Sequence, residues 1–128
     1  MIFECKRIEI SDEELGCTIT FCDSVYEEFD ENKKIEDLVN SHEKYLLIQR
    51  TYGEDEFDRD YHYFETSEGE IGGEMKEFKI ELSRNKFILI LPSNSFEIEI
   101  KPSEQEFIKL KKNLNIMTLI QGELKIKE

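Results

Sequence analysis

The sequence predicts an α+β fold: a mostly antiparallel β-sheet, a meander in its second half, with a C-terminal amphipathic helix and a short helix from the N-terminal half packed on one face. Three observations lead there. Residues 78–82 (FKIEL) and 96–100 (FEIEI) alternate apolar and charged side chains, the period of a strand with one buried face. Short polar connections, Ser83 to Lys86 and Pro92 to Ser95, separate these strands from the apolar run Phe87 to Leu91, as antiparallel neighbours require. Ser103-Glu104-Gln105-Glu106 then forms a capping box, which opens a helix over 103–115.

That helix places Phe107, Leu110 and Leu114 on one face and Lys109, Lys111 and Lys112 on the other, where the lysines suit the negative end of the helix dipole. The tail LIQGELKIKE reads as a last edge strand with Leu124 and Ile126 inward and lysines guarding the edge. In the first half, Ile2 to Ile10 and Cys17 to Cys22 are strands joined by the acidic turn Ser11 to Gly16. Asn32 to Ser41 holds Ile35, Leu38 and Val39, enough for a short helix. Tyr45 to Arg50 and Tyr61 to Thr66 are partner strands with an acidic loop between them. Gly72-Gly73 marks a bulge or a close backbone approach before the next strand. Residues 1–128 are one domain's worth of chain, long enough to bury a core without staples.

Charge is the loudest feature of the composition. Seventeen Lys plus Arg against thirty Asp plus Glu gives −13. Residues 101–128 hold six lysines against four glutamates, or +2, which leaves −15 on the first hundred residues. Such a surface repels nucleic acid and anionic lipid and draws in basic partners. It also keeps a protein soluble, a reading that stands beside the first. Cys5, Cys17 and Cys22 are odd in number and form no C-x-x-C, so they read as buried free thiols rather than as a disulfide framework or a zinc site. Glu4, Lys6 and Arg7 interrupt any signal-peptide core, and no apolar run is long enough to span a bilayer. The expected location is the cytoplasm.

The motifs of catalysis and of metal binding fail one by one. Asp58-x-Asp60-x-His62 hints at an EF-hand loop, but the sixth position is Tyr63 instead of Gly and the twelfth is Gly69 instead of Glu. With thirty acids in the chain, no two stand out as a glycosidase pair. There is no G-x-S-x-G, no phosphate loop, and no distinctive context for His42 or His62, which read as surface or strand positions. No catalytic residue, metal site or cofactor is expected.

Binding chemistry fares better. Residues 54–74 hold nine acids and one base, Arg59, with Phe57, Tyr61 and Tyr63 among them and Tyr52 just before. Aromatic anchors with a charged rim are the character of a protein interface. Glu27-Glu28-Phe29-Asp30-Glu31 repeats the theme. The predicted partner-binding residues are therefore Tyr52, Glu54, Asp55, Glu56, Asp58, Asp60 and Tyr61, with Glu27 and Glu28. Strand alternation sets Tyr61, Tyr63 and Glu65 on one face and His62 and Phe64 on the other, so some of these aromatics are core.

The order of segments resembles a known family. YLLIQR (45–50), EDEFD (54–58), YHYFE (61–65), IGGEMKEFKIEL (71–82), the FEIEI strand and FIKLKKNL (107–114) together resemble the Imm10 family of bacterial immunity proteins, found beside polymorphic toxins. The resemblance covers roughly residues 45–117, and it is loose over the first forty, where the stretch 23–43 is longer than the family leads one to expect. It implies a non-enzymatic cytosolic inhibitor of a cognate toxin domain encoded beside it, and it does not fix the toxin's activity. The net charge of −13, read on its own, suits a basic, nuclease-like partner, with neither nucleic acid nor membrane as a ligand, and an exposed edge strand is compatible with a monomer or a weak homodimer. Two alternatives from other classes remain at this point: a small enzyme or accessory domain using buried carboxylates, and an acidic mimic of nucleic acid. A plain structural subunit would show a large exposed apolar patch instead.

Overall fold

The computed structural model describes residues 2–23, 44–54, 59–68 and 71–127. Alternation of apolar and polar residues along the chain produces ten strands among the described residues: β1 (Ile2–Glu4), β2 (Arg7–Glu13), β3 (Gly16–Cys22), β4 (Tyr45–Thr51), β5 (Tyr61–Thr66), β6 (Gly72–Glu74), β7 (Lys79–Ser83), β8 (Lys86–Ile90), β9 (Ser95–Glu99) and, after helix α1 (Glu104–Met117), β10 (Glu123–Ile126). The fold is α+β and mostly antiparallel, as the patterning predicts. The strands form two five-stranded sheets rather than one, ordered β1-β9-β8-β7-β10 and β2-β3-β4-β5-β6. The short helix predicted at 32–41 lies outside the described residues.

Two sheets arise because the predicted first strand divides. The Cys5 N–H donates to Glu99 O in the first sheet at 2.7 Å, while the next amide, Lys6 N–H, donates to Cys22 O in the second at 2.8 Å. The chain thus changes sheets between two consecutive residues. The predicted meander of the second half is β7-β8-β9, and the first and last strands flank it, β1 parallel to β9 and β10 parallel to β7. The tail is therefore an edge strand, with Leu124 and Ile126 half-buried against the core.

The inner faces pack on one another. Phe21 of β3 meets Phe87 of β8 with ring centroids 4.3 Å apart, and Phe64 of β5 meets Phe96 of β9 at 5.6 Å. Such ring pairs add about 1 kcal/mol each to the burial of their area. Ile19, Leu46 and Ile48 from one sheet and Ile80, Leu89 and Ile98 from the other are fully buried in the same cluster.

Helix α1 starts where the sequence places it. Ser103 is the N-cap, its hydroxyl accepting from the Glu106 N–H at 3.2 Å while the Glu106 carboxylate accepts from the Ser103 N–H at 3.1 Å. Phe107, Leu110, Leu114 and Met117 are buried, and the helix packs against β2 and β3 of the second sheet and β10 of the first. Its last turn carries no basic residue, so the lysines at 109, 111 and 112 do not meet the negative end of the dipole. An arginine of the sheet meets it instead.

Candidate functional site

The alternation of β4 and β5 points two sets of polar groups in opposite directions. Register places Cys17 opposite Arg50, and Arg50 opposite His62, so these three side chains form one row across the inner face of the second sheet. All three are buried. The row lies beneath the C-terminal half of α1, and two of its members donate to carbonyls of the helix's last turn while the third bonds the side chain of Asn113. The Arg50 guanidinium donates to Ile116 O, His62 Nε2 donates to Met117 O at 3.1 Å, and the Cys17 thiol donates to Asn113 Oδ1 at 3.4 Å. A guanidinium here is also favoured by the negative end of the helix dipole.

Arg50 is itself held in place. It forms an ion pair with Asp60 at 2.6 Å and lies 5.0 Å from the centre of the Tyr52 ring. Asp60 also accepts the Gly53 N–H at 2.9 Å; that bond first, and the Arg50 charge with it, holds its carboxyl below the usual carboxylate range. The Tyr52 hydroxyl donates to Asp12 at 2.7 Å, and burial together with that bond raises its pKa to about 12. Burial, opposed by the Met117 carbonyl and aided by the Arg50 charge, lowers the pKa of His62. A carbonyl only accepts, so the neutral ring carries its proton on Nε2, and Nδ1 has no partner among the described residues. An imidazole 1 % exposed and committed to a main-chain carbonyl fills and ties the core.

The outer face of the same sheet is built from the intervening residues. Tyr61 and Tyr63 of β5 stack at 6.4 Å, and Tyr61 is 44 % exposed. Tyr45 and Tyr63 both donate to Glu65, to Oε2 at 2.8 Å and to Oε1 at 2.9 Å. The bond to Glu65 pushes the Tyr45 hydroxyl up to about 12 and Tyr63 in the same direction. Glu9 and Glu13 of β2 and Glu74 of β6 share this face, where Arg7 pairs with Glu9 at 3.1 Å. The first sheet and α1 both pack on the opposite, inner side.

The predicted partner-binding residues therefore separate. Tyr61 stands on the outer face. Tyr52 and Asp60 belong to the cluster around Arg50, with their polar atoms bonded inside the fold, and Glu54 is exposed at the loop that follows Tyr52. Asp55, Glu56, Asp58, Glu27 and Glu28 lie outside the described residues. Sequence reasoning missed Tyr45, Tyr63 and Glu65 as a unit, although the alternation of YHYFE already set Tyr63 and Glu65 on one face. Tyr45 joins them because the β4–β5 register pairs Leu47 with Glu65. Among the described residues no three His, Cys, Asp or Glu side chains converge as metal ligands, and no helix is long and apolar enough to cross a membrane. Cys5, Cys17 and Cys22 are buried free thiols, as expected.

Comparison of the chain with family models, with curated proteins and with solved structures found no match.

Proposed function

We propose that the chain is a bacterial immunity protein that binds and neutralises a cognate toxin domain by covering its active or substrate-binding surface. The observation that carries the reading is the outer face of the second sheet, where tyrosines and carboxylates stand side by side on a rigid scaffold. Aromatic side chains supply buried contact at low entropic cost, and carboxylates steer a basic partner toward them. The net charge of −13 favours the same kind of partner, such as a nuclease domain with a positive substrate channel. The order of segments that resembles the Imm10 family supports an inhibitor without chemistry of its own.

The test is a growth assay. The toxin domain encoded beside this chain is expressed in a host with and without it. Growth arrest that only this chain relieves is the expected outcome. Toxicity indifferent to this chain would overturn the reading. With the pair in hand, reversing Asp55, Glu56 and Asp58 to Lys should slow association and weaken its dependence on salt.

A further inference from the structure

A hollow of about 330 Å³ opens on the outer face of the second sheet. It exists because a glycine leaves the sheet bare there. Register sets Gly72 opposite Glu65, so no side chain rises from β6 beside that carboxylate. A Cβ on Gly72 would sit 3.0 Å from Phe64 O, and Gly73 has φ 147°, a conformation that favours glycine. One rim is tied down by the Thr66 hydroxyl donating to Ile71 O at 2.9 Å and by the Ile71 N–H donating to Glu68 O at 2.9 Å. Tyr45, Tyr63 and Glu65 form the facing wall.

The Glu65 carboxylate is fixed before anything binds. Each oxygen accepts one tyrosine hydroxyl, at 2.8 and 2.9 Å, and its second lone pair has no partner among the described residues. The tyrosines are neutral donors, so the negative charge stays on the carboxylate. No Lys, Arg or His is among the described residues that line the hollow. The space is near the low end for small-molecule pockets, so it suits one side chain better than a metabolite. A wall with these two carboxylate lone pairs flanked by phenol rings matches a planar fork of N–H donors, which pairs in bidentate fashion and stacks on aromatics.

We propose that this hollow receives an arginine side chain of a protein partner, with the guanidinium on Glu65 and against the rings of Tyr45 and Tyr63. The inference rests on the partner-binding reading above and names one anchor of that contact. It predicts recognition of a guanidinium as such, so its test does not need the toxin.

The full chain, labelled for amide NMR, is titrated at low ionic strength with N-acetyl-arginine-N-methylamide and with the citrulline counterpart, which has the shape without the charge. Shifts centred on Ser67, Ile71, Gly72 and Gly73 with the arginine probe are expected, and none with citrulline. Glu65→Gln should weaken the response roughly tenfold, and Tyr63→Phe should weaken it several-fold while leaving the remaining spectrum in place. Equal responses to the two probes, shifts spread evenly over the acidic surface, or shifts unchanged in Glu65→Gln would each overturn the proposal. A positive titration combined with a failed growth assay would keep the hollow and remove the immunity reading; the reverse would keep immunity and remove the hollow.

Discussion

On β4 and β5, Arg50 and His62 point into the molecule while Tyr45, Tyr63 and Glu65 point out of it. Both sets are polar, and they come from alternate residues of the same paired strands. The inner set is consumed by the fold: each donor ends on a helix carbonyl or on Asp60. The outer set is bonded too, but among the described residues only to its own members, so its charge and its rings still face outward. The first sheet shows a third arrangement. There Lys86 neutralises Glu97 at 2.8 Å and Lys79 lies 3.9 Å from Glu81, around half-buried Ile88 and Ile90. A carboxylate held by a neutral hydroxyl keeps its field, whereas one held by an ammonium loses most of it. This difference, more than the number of acids, separates the two outer faces.

The sharpest way to break the comparison is on the inner face. Arg50→Met leaves Asp60 as a half-buried charge without its cation and Ile116 O with only the Leu119 N–H, at 3.3 Å, and should cost about 3 kcal/mol of stability. Denaturant midpoints would measure this. A loss within error would mean that the row is not holding the helix.

The inner face should also set the response to acid. The folded pKa of His62 lies below its ordinary 6.5. Below pH 6.5 the unfolded chain therefore takes up a proton that the folded chain refuses, and stability falls as pH drops through that window. Asp60 acts at lower pH. Its folded pKa is depressed below 3.8, so its contribution is present above that value and is lost as pH falls through the folded one. His62→Gln can still donate to Met117 O, and it should flatten the loss near pH 6 while leaving the acid limb. Melting temperatures from pH 7.5 down to 3 would show whether the first limb disappears.

Effects on the outer face should be smaller. Tyr45→Phe removes one bond to Glu65 and should cost about 0.5–1 kcal/mol, discounted for its partial exposure. A larger loss would mean that the clamp also holds the sheet together. Least of all, Lys86→Met removes an exposed ion pair of the first sheet and should leave the unfolding midpoint where it was.

Much of this architecture was legible from local pattern. The meander β7-β8-β9, the β4–β5 pair and the capping box at Ser103 all follow from alternation, turn chemistry and capping, which act over a few residues. The division at Cys5 was not legible, because both halves of residues 2–10 look like strand and only tertiary hydrogen bonds assign them to different sheets. Asp60 reads as part of an acidic surface and Arg50 only as the end of a strand, since nothing near them in sequence announces a helix end arriving from residues 113–117. The clamp on Glu65 depends on the register between β4 and β5, a property of pairing rather than of either strand.

The most direct test of the central claim, that the inner polar row builds the fold while the outer face meets the partner, is growth rescue by matched variants. The domain proposed as its toxin would be co-expressed with the wild-type chain, with Glu65→Lys/Glu74→Lys on the outer face of the second sheet, and with Lys86→Glu on the first, after melting curves show that all three are folded. Rescue by the wild type and by Lys86→Glu, with rescue lost in the double variant, is the result the account predicts. Full rescue by the double variant would contradict it.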